Sequence, residues 1–251
     1  LSNDITGVTP ASFEPTIDYV VTKIPRFTFE KFPGTEALLS SSMKSVGEAM
    51  SIGGDFAESL QKGLRSMETG LTGLNEVEGF EGEGADNIIA QLCLARPDRL
   101  LLIAQAFRFG HSLEDIQESC KYDPWFLKQI ETIIEVETRI KSDGIPNNAA
   151  GLLALKKMGF SDERLSEISG LDAAVIKHHR QKFKITPVFK KVDTCAGEFQ
   201  SQTPYMYSTY SGVGLDSADC EAEPTDKKKV VILGGGPNRI GQGIEFDYCC
   251  V

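Results

Sequence analysis

The chain has 251 residues, of which 41% are apolar and 25% charged, and its 36 acidic against 26 basic side chains give a formal net charge of −10. These values exclude a disordered tail or a fibrous repeat and are typical of a globular protein with one or two domains. The acidic balance argues against a general nucleic-acid binder. The longest charge-free apolar run in the first half, residues 87–95, is far too short to cross a membrane. The six cysteines include no C-x-x-C pair, which favours reduced thiols in a cytoplasmic protein over a metal site.

The N-terminal part predicts two strands and one helix. Residues 18–24 are rich in β-branched side chains and end at Pro25, which predicts a strand, and residues 45–52 predict a second one. Asp55 then begins a helix, with Glu58 three residues later as in a capping box. The apolar residues of this helix recur at helical spacing: Phe56, Leu60, Leu64 and Met67.

A segment rich in glutamate and glycine, residues 68–85, separates this part from the next. It contains five glycines and no basic residue, so its glutamates repel one another and keep the backbone solvated. We interpret the segment as a mobile acidic loop and a domain boundary.

The middle of the chain, residues 86–183, predicts helices almost throughout. The strongest signal is Asp123-Pro124, a capping carboxylate followed by proline at the first helical position, where its missing N–H costs nothing. Residues that begin helices are Asp98, Ser112, Asp123 and Asp172, and glycines that end them are Gly110, Gly144, Gly159 and Gly170. The short loops between these helices predict a compact bundle.

The last part loses the helical period. Residues 186–223 predict a long connector, residues 229–233 a short apolar strand, and residues 234–248 a glycine-rich turn that leads into a helix. A parallel strand pairs with a later strand through a crossover, and none follows here. We therefore expect the chain to be a piece of a longer protein.

Two motifs leave other functions open. The turn after residues 229–233 could bind an anion with its backbone N–H groups, as in a nucleotide-binding enzyme centred on residues 234–243. It does not meet the G-x-G-x-x-G pattern, because Arg239 takes the third glycine position.

Residues 161–183 resemble a helix-turn-helix outline, and residues 156–191 hold nine basic against four acidic side chains. This segment is either a helical DNA-binding or adaptor module or, as we favour, a helical hairpin inside the bundle.

The residues alone indicate no catalytic, cofactor-binding or metal-binding set. His178 and His179 are adjacent on a helix, so their side chains point about 100° apart and cannot share one ion. His111 follows a helix-ending glycine and is interpreted as a surface residue. No Ser-His-Asp arrangement, H-E-x-x-H motif or phosphate-binding loop occurs.

Several longer segments resemble the carbamoyl-phosphate synthase large-chain family. In chain order these are residues 3–7, 12–15, 18–27, 43–48, 123–127, 158–162, 193–196, 205–210 and 233–248. The resemblance runs the whole length of the chain, and its motifs are longest at the two ends.

The resemblance implies a mainly α fold, in which a helical bundle is flanked by the end of an ATP-grasp α+β domain and the first strand-turn-helix of an α/β pre-ATP-grasp domain. It divides the chain into the end of a first synthetase unit (1–67), an oligomerisation domain with its connector (68–220) and the start of a second unit (221–251). The parent enzyme would make carbamoyl phosphate from bicarbonate, ATP and glutamine-derived ammonia, with Mg²⁺ or Mn²⁺. Its partners would be a small glutaminase subunit and further copies of itself, with no nucleic acid and no membrane.

The resemblance transfers no catalytic, cofactor or metal residue to this chain. It implies only that Arg239, Gly243 and Glu245 line a passage for carbamate, because a small residue leaves room and polar ones offer contacts. For the bundle it implies self-association. Residues 100–103 and 133–134 carry consecutive aliphatic side chains, which predicts an apolar stripe covered by a second copy, by a neighbouring domain or within the bundle itself.

Overall fold

A computed structural model describes residues 1–31, 33–80, 87–201 and 203–233. Over these residues the fold is mainly helical, with two small antiparallel sheets. The strands are β1 (Val20–Phe27), β2 (Ser45–Gly53), β3 (Val188–Lys191) and β4 (Met206–Thr209). The helices are α1 (Phe56–Arg65), α2 (Ile88–Leu92), α3 (Arg99–Arg108), α4 (Leu113–Cys120), α5 (Pro124–Asp143), α6 (Ala149–Lys157), α7 (Asp162–Ser169) and α8 (Ala173–Lys182).

The first sheet pairs β1 with β2 and packs on α1. Its register places Ile24 opposite Ala49, and both side chains are buried in the same core as Leu60. The prediction that β1 ends at Pro25 is wrong, because the strand continues to Phe27 with Pro25 opposite Glu48. A proline is tolerated here since β1 has a free edge in a two-stranded sheet, where no ladder N–H is required.

The start of α1 confirms half of the predicted capping box. The Asp55 carboxylate accepts a hydrogen bond from the Glu58 N–H at 2.8 Å. The Glu58 carboxylate does not return to the cap residue but accepts from the Gly54 N–H at 2.6 Å. Glu58 is 2% exposed, so this carboxylate is a buried anchor and not a solvated cap.

The predicted caps of the bundle are confirmed with one exception. Ser112, Asp123 and Asp172 each accept a hydrogen bond from the first turn of their helix. Asp98 occupies the cap position of α3 without such a bond. Its carboxylate is instead held by the Arg96 guanidinium, at 2.9 Å from Nε and 2.7 Å from Nη2.

Most of the aliphatic stripe of α3 and α5 lies inside the bundle. Leu102, Ile103 and Ile133 are fully buried, and Ile134 is 3% exposed. Leu100 and Leu101 are half-buried. The bundle itself therefore covers four of the six residues, and what covers the outer sides of Leu100 and Leu101 stays a prediction.

The connector contains structure that the sequence did not predict. Strands β3 and β4 pair antiparallel, with Val188 opposite Thr209, inside the segment interpreted as irregular. The predicted strand at residues 229–233 is not formed, and Val230 and Leu233 are 83% and 89% exposed. A short apolar segment becomes a strand only beside a hydrogen-bonded neighbour, and no other described segment pairs with it.

Two general properties follow for the described part of the chain. None of its helices combines the length and the apolar composition needed to cross a lipid bilayer. The cysteines that it contains form no disulfide: Cys93, Cys120, Cys195 and Cys220.

Candidate self-association face and polar junction

An exposed aromatic cluster lies at the start of α5. Asp123 caps the helix and Pro124 begins it, so the next two side chains, Trp125 and Phe126, are fixed in the first turn. They are 54% and 43% exposed. Adjacent residues on a helix point about 100° apart, and neither side chain is carried into the core.

Phe56, the first residue of α1, completes this cluster. Its ring centroid lies 5.6 Å from that of Trp125 and 5.2 Å from that of Phe126, in edge-to-face contacts. Trp125 and Phe126 are themselves 5.0 Å apart at an interplanar angle of 88°. Such edge-to-face pairs hold aromatic rings in fixed positions. We call Phe56, Trp125 and Phe126 the aromatic face.

A largely apolar groove continues from the aromatic face. It has a volume of about 480 Å³ and runs between β1 and the helices. The lining residues are Thr22, Lys23, Ile24, Pro25, Phe56, Leu60, Leu100, Tyr122, Asp123, Phe126 and Ile130. An exposed aromatic cluster beside an apolar groove is the kind of surface that partner proteins cover.

The acidic segment is tied to the bundle by an ion-pair network. The Glu76 carboxylate lies 2.9 Å from the Lys141 ammonium and 3.0 Å from the Arg164 guanidinium. Burial raises the pKa of Glu76, but the hydrogen bond from Lys141 and the charges of Arg164 and Arg108 outweigh it and bring the pKa to about 2. The interpretation of residues 68–85 as only a solvated loop is wrong at this position, since Leu74 beside it is fully buried.

The centre of the same network is buried. Glu137 of α5 is 1% exposed and accepts from Arg108 at 2.7 Å and from Arg164 at 2.9 and 3.0 Å. Both arginines also donate to the Leu74 carbonyl. Charges buried in this way are held in place by several bonds each, so the network joins α3, α5, α7 and the acidic segment into one unit.

A polar junction joins α1, the bundle and the connector. The Glu58 carboxylate accepts from the Thr209 hydroxyl at 2.7 Å and from the Tyr210 N–H at 3.2 Å. The Lys62 ammonium donates to the carbonyls of Ser208 and Ile52. Burial lowers the pKa of Lys62 despite the nearby Glu58 charge. These bonds fix the connector strand β4 against the start of α1.

More than half of the basic side chains in residues 156–191 form ion pairs within the chain. Five of the nine cations have carboxylate partners within 4 Å: Lys156, Arg164, Arg180, Lys190 and Lys191. A DNA-binding surface needs free cations to displace counterions from phosphates. Within residues 161–183 the paired cations are Arg164 and Arg180, and their pairing favours the helical hairpin over the DNA-binding alternative.

The site residues predicted from the sequence are not brought together here. Arg239, Gly243 and Glu245, predicted to line a passage, lie outside the described residues, as does the turn at 234–243. The rings of His178 and His179 are 6.5 Å apart and tilted. Among the described residues, no three His, Cys, Asp or Glu side chains form a group that could hold a metal ion.

Sequence reasoning missed two features, although the sequence contains a signal for each of them. Glu137 lies four residues after Ile133 and three before Ile140, so it falls on the buried stripe of α5. A carboxylate there predicts a buried cationic partner. Trp125 and Phe126 directly follow a helix-starting proline, where two large aromatic side chains cannot both reach a core.

Comparisons with known proteins agree with this architecture. The sequence pattern described as "Carbamoyl-phosphate synthetase large chain, oligomerisation domain" matches residues 48–184, more than half of the chain. A second pattern, "Carbamoyl phosphate synthase preATP-grasp domain", matches residues 226–251.

Three curated relatives carry the same name. The chain is 57% identical to the carbamoyl phosphate synthase large chain of Rhizobium meliloti and 58% identical to that of Mesorhizobium japonicum, over 100% of this chain and 22% of each relative. It is 53% identical to the same protein of Neisseria meningitidis serogroup B, over 100% of this chain and 23% of the relative. The chain thus spans about a fifth of the length of these relatives. It belongs to the family of the carbamoyl-phosphate synthetase large-chain oligomerisation domain.

Proposed function

We propose that this chain is the assembling and connecting part of a carbamoyl-phosphate synthase large chain, and that it self-associates through the aromatic face. The parent protein would be a ligase that makes carbamoyl phosphate from bicarbonate, ATP and glutamine-derived ammonia, for pyrimidine and arginine synthesis. The names of the relatives and the description of the matching family support this proposal.

In this proposal residues 1–67 end a first ATP-grasp synthetase unit and residues 221–251 begin a second. The match of residues 226–251 to a pre-ATP-grasp pattern supports the second assignment. ATP, Mg²⁺ or Mn²⁺ and a small glutaminase subunit would act on parts of the parent outside this chain. The parent would be cytoplasmic.

The aromatic face is the observation that carries the self-association. Trp125 is the most exposed large apolar side chain within the helical bundle, and its neighbours hold it rigidly. Rigid aromatic side chains are the usual energetic centres of interfaces, because they bury much surface at little cost in conformational entropy. Such a cluster suits a two-fold contact, in which the same patch meets its copy.

Sedimentation velocity of the 251-residue chain tests this directly. The variant Trp125→Glu places a charge at the centre of the face and should shift the chain from dimer to monomer. The matched control is Leu171→Glu, since Leu171 is also an exposed apolar bundle residue, at 41%, but lies between α7 and α8. Both variants should keep the wild-type circular dichroism. A dimer that survives Trp125→Glu, or is lost equally in Leu171→Glu, would place the contact elsewhere.

A further inference from the structure

A cavity at the polar junction contains a cation that pairs with no other residue in the described part of the chain. The cavity measures about 270 Å³ and lies between the last turns of α1, the α6–α7 turn and β4. Its ionisable walls are Glu58, Lys62, Arg65, Lys156, Asp162, Glu163 and Tyr210. Three positive and three negative side chains face it, so its overall balance is neutral.

Most of these charges are already satisfied. Glu58 accepts from the Gly54 N–H, the Thr209 hydroxyl and the Tyr210 N–H. Asp162 holds Lys156 at 2.9 Å and Arg180 at 3.0 Å. These two carboxylates therefore have little capacity left for a further cation.

Arg65 is the exception. Within the described residues its guanidinium makes no hydrogen bond and no ion pair. It is partly buried, and burial lowers its pKa, although the carboxylates of Glu163 and Glu58 raise it. A cation removed from water without a partner is costly, so an anion brought to it would be stabilised.

A hydroxyl group adds a donor beside Arg65. Tyr210 lines the same cavity, and its hydroxyl is bonded to no other described residue. The Tyr210 ring is held by the Lys156 ammonium, 5.5 Å from the ring centroid. The cavity thus offers a planar guanidinium fork and one hydroxyl around one small space.

The neighbouring charges decide the class of anion. Glu163 is exposed at the rim and carries a negative charge that has no ion-pair partner among the described residues. Together with Glu58 and Asp162 it disfavours a multiply charged anion. A guanidinium binds a carboxylate through two parallel hydrogen bonds, and a cavity of 270 Å³ is smaller than the pockets of drug-sized ligands.

We propose that Arg65 and the Tyr210 hydroxyl form a binding site for a small monocarboxylate at this junction. The bound carboxylate would complete the pairing of Arg65. It would also strengthen the contact between α1 and the connector strand β4. This site does not depend on self-association or on the identity of the parent enzyme.

The experiment measures the Tm of the 251-residue chain in acetate, with chloride at the same ionic strength as the reference. Acetate at ten times its Kd should raise the Tm by about 4 °C, in a saturable manner. Arg65→Met should abolish this rise. In chloride alone, Arg65→Met should have a Tm equal to or above that of the wild type, because an unpaired cation is removed.

The variant Glu163→Gln gives an independent check. Removing this rim charge should lower the Kd for acetate several-fold and leave the Tm in chloride unchanged. A drop in Tm in chloride would mean that Glu163 itself pairs with Arg65, and would overturn the proposal. An equal acetate effect in Arg65→Met, or a larger effect of inorganic phosphate than of acetate, would overturn it as well.

Discussion

At the residue scale, the buried carboxylate of Glu137 is the group on which the bundle most depends. It is the only carboxylate in contact with both Arg108 and Arg164 that is itself fully buried among the described residues. Removing one partner of such a set leaves the others charged and unpaired in a medium that solvates them poorly.

Glu137→Gln should therefore lower the free energy of unfolding by about 3–5 kcal/mol. The matched control is Glu135→Gln on the exposed side of the same helix, which should change it by less than about 0.5 kcal/mol. Urea unfolding of both variants gives the two values. Equal, small effects of the two substitutions would show that the ion-pair network contributes little to the free energy of unfolding.

Glu76 predicts a dependence of stability on pH. Its pKa in the folded chain is about 2, below the ordinary value of 4.5, so the ionised group favours the folded state. This contribution is complete above pH 4.5 and is lost as the pH falls towards 2. The difference in Tm between wild type and Glu76→Gln should be constant above pH 5 and shrink from pH 4.5 downwards. A difference that does not change between pH 6 and 3 would contradict the pairing.

The residue scale is also where sequence reasoning was weakest. The cap residues Ser112, Asp123 and Asp172 could be predicted because a cap is a local interaction within one turn. The partners of Glu76 and Glu137 could not, because they come from helices far away in the chain. Asp98 shows a different limit, since Arg96, only two residues before it, competes for the carboxylate that would otherwise cap α3.

At the scale of elements, the turn between α6 and α7 fits closely against α1. Gly159 has a φ of +91°, and a Cβ added to it would lie 2.8 Å from the Glu58 Cα. Gly170, which ends α7 at a φ of +73°, has open space around it. Both glycines therefore have a positive φ, and their surroundings differ.

Gly159→Ala should therefore lower the free energy of unfolding more than Gly170→Ala. The control should lose about 1–2 kcal/mol from backbone strain alone, and Gly159→Ala about 1–3 kcal/mol more from the clash. Chemical unfolding of the two variants measures both losses. Equal losses would show that α1 can move away from the turn.

The helices and the first sheet could be predicted because their periodicity is local, whereas the paired strands β3 and β4 could not. Each has four residues, too few to show an alternating pattern above chance. For residues 229–233 the prediction was wrong in the opposite direction, because a strand was predicted and none is formed. Its composition is that of a strand, but a strand also requires a partner, which composition does not report.

At the scale of the whole molecule, the chain is expected to assemble and not to catalyse. It spans about a fifth of the length of its relatives. We expect the purified 251-residue chain to hydrolyse no ATP when bicarbonate is present. ATP hydrolysis that depends on bicarbonate and persists through purification would contradict this expectation.

Whether two copies meet at the aromatic face can be measured directly, because Trp125 is the single tryptophan of the chain. Its fluorescence therefore reports on that face alone. As the protein concentration rises through the range in which sedimentation detects dimers, the emission should shift to the blue, since the indole leaves water. In Leu171→Glu the same shift should remain. Dimers whose Trp125 emission is identical to that of the monomer would contradict the claim that this face is where two copies meet.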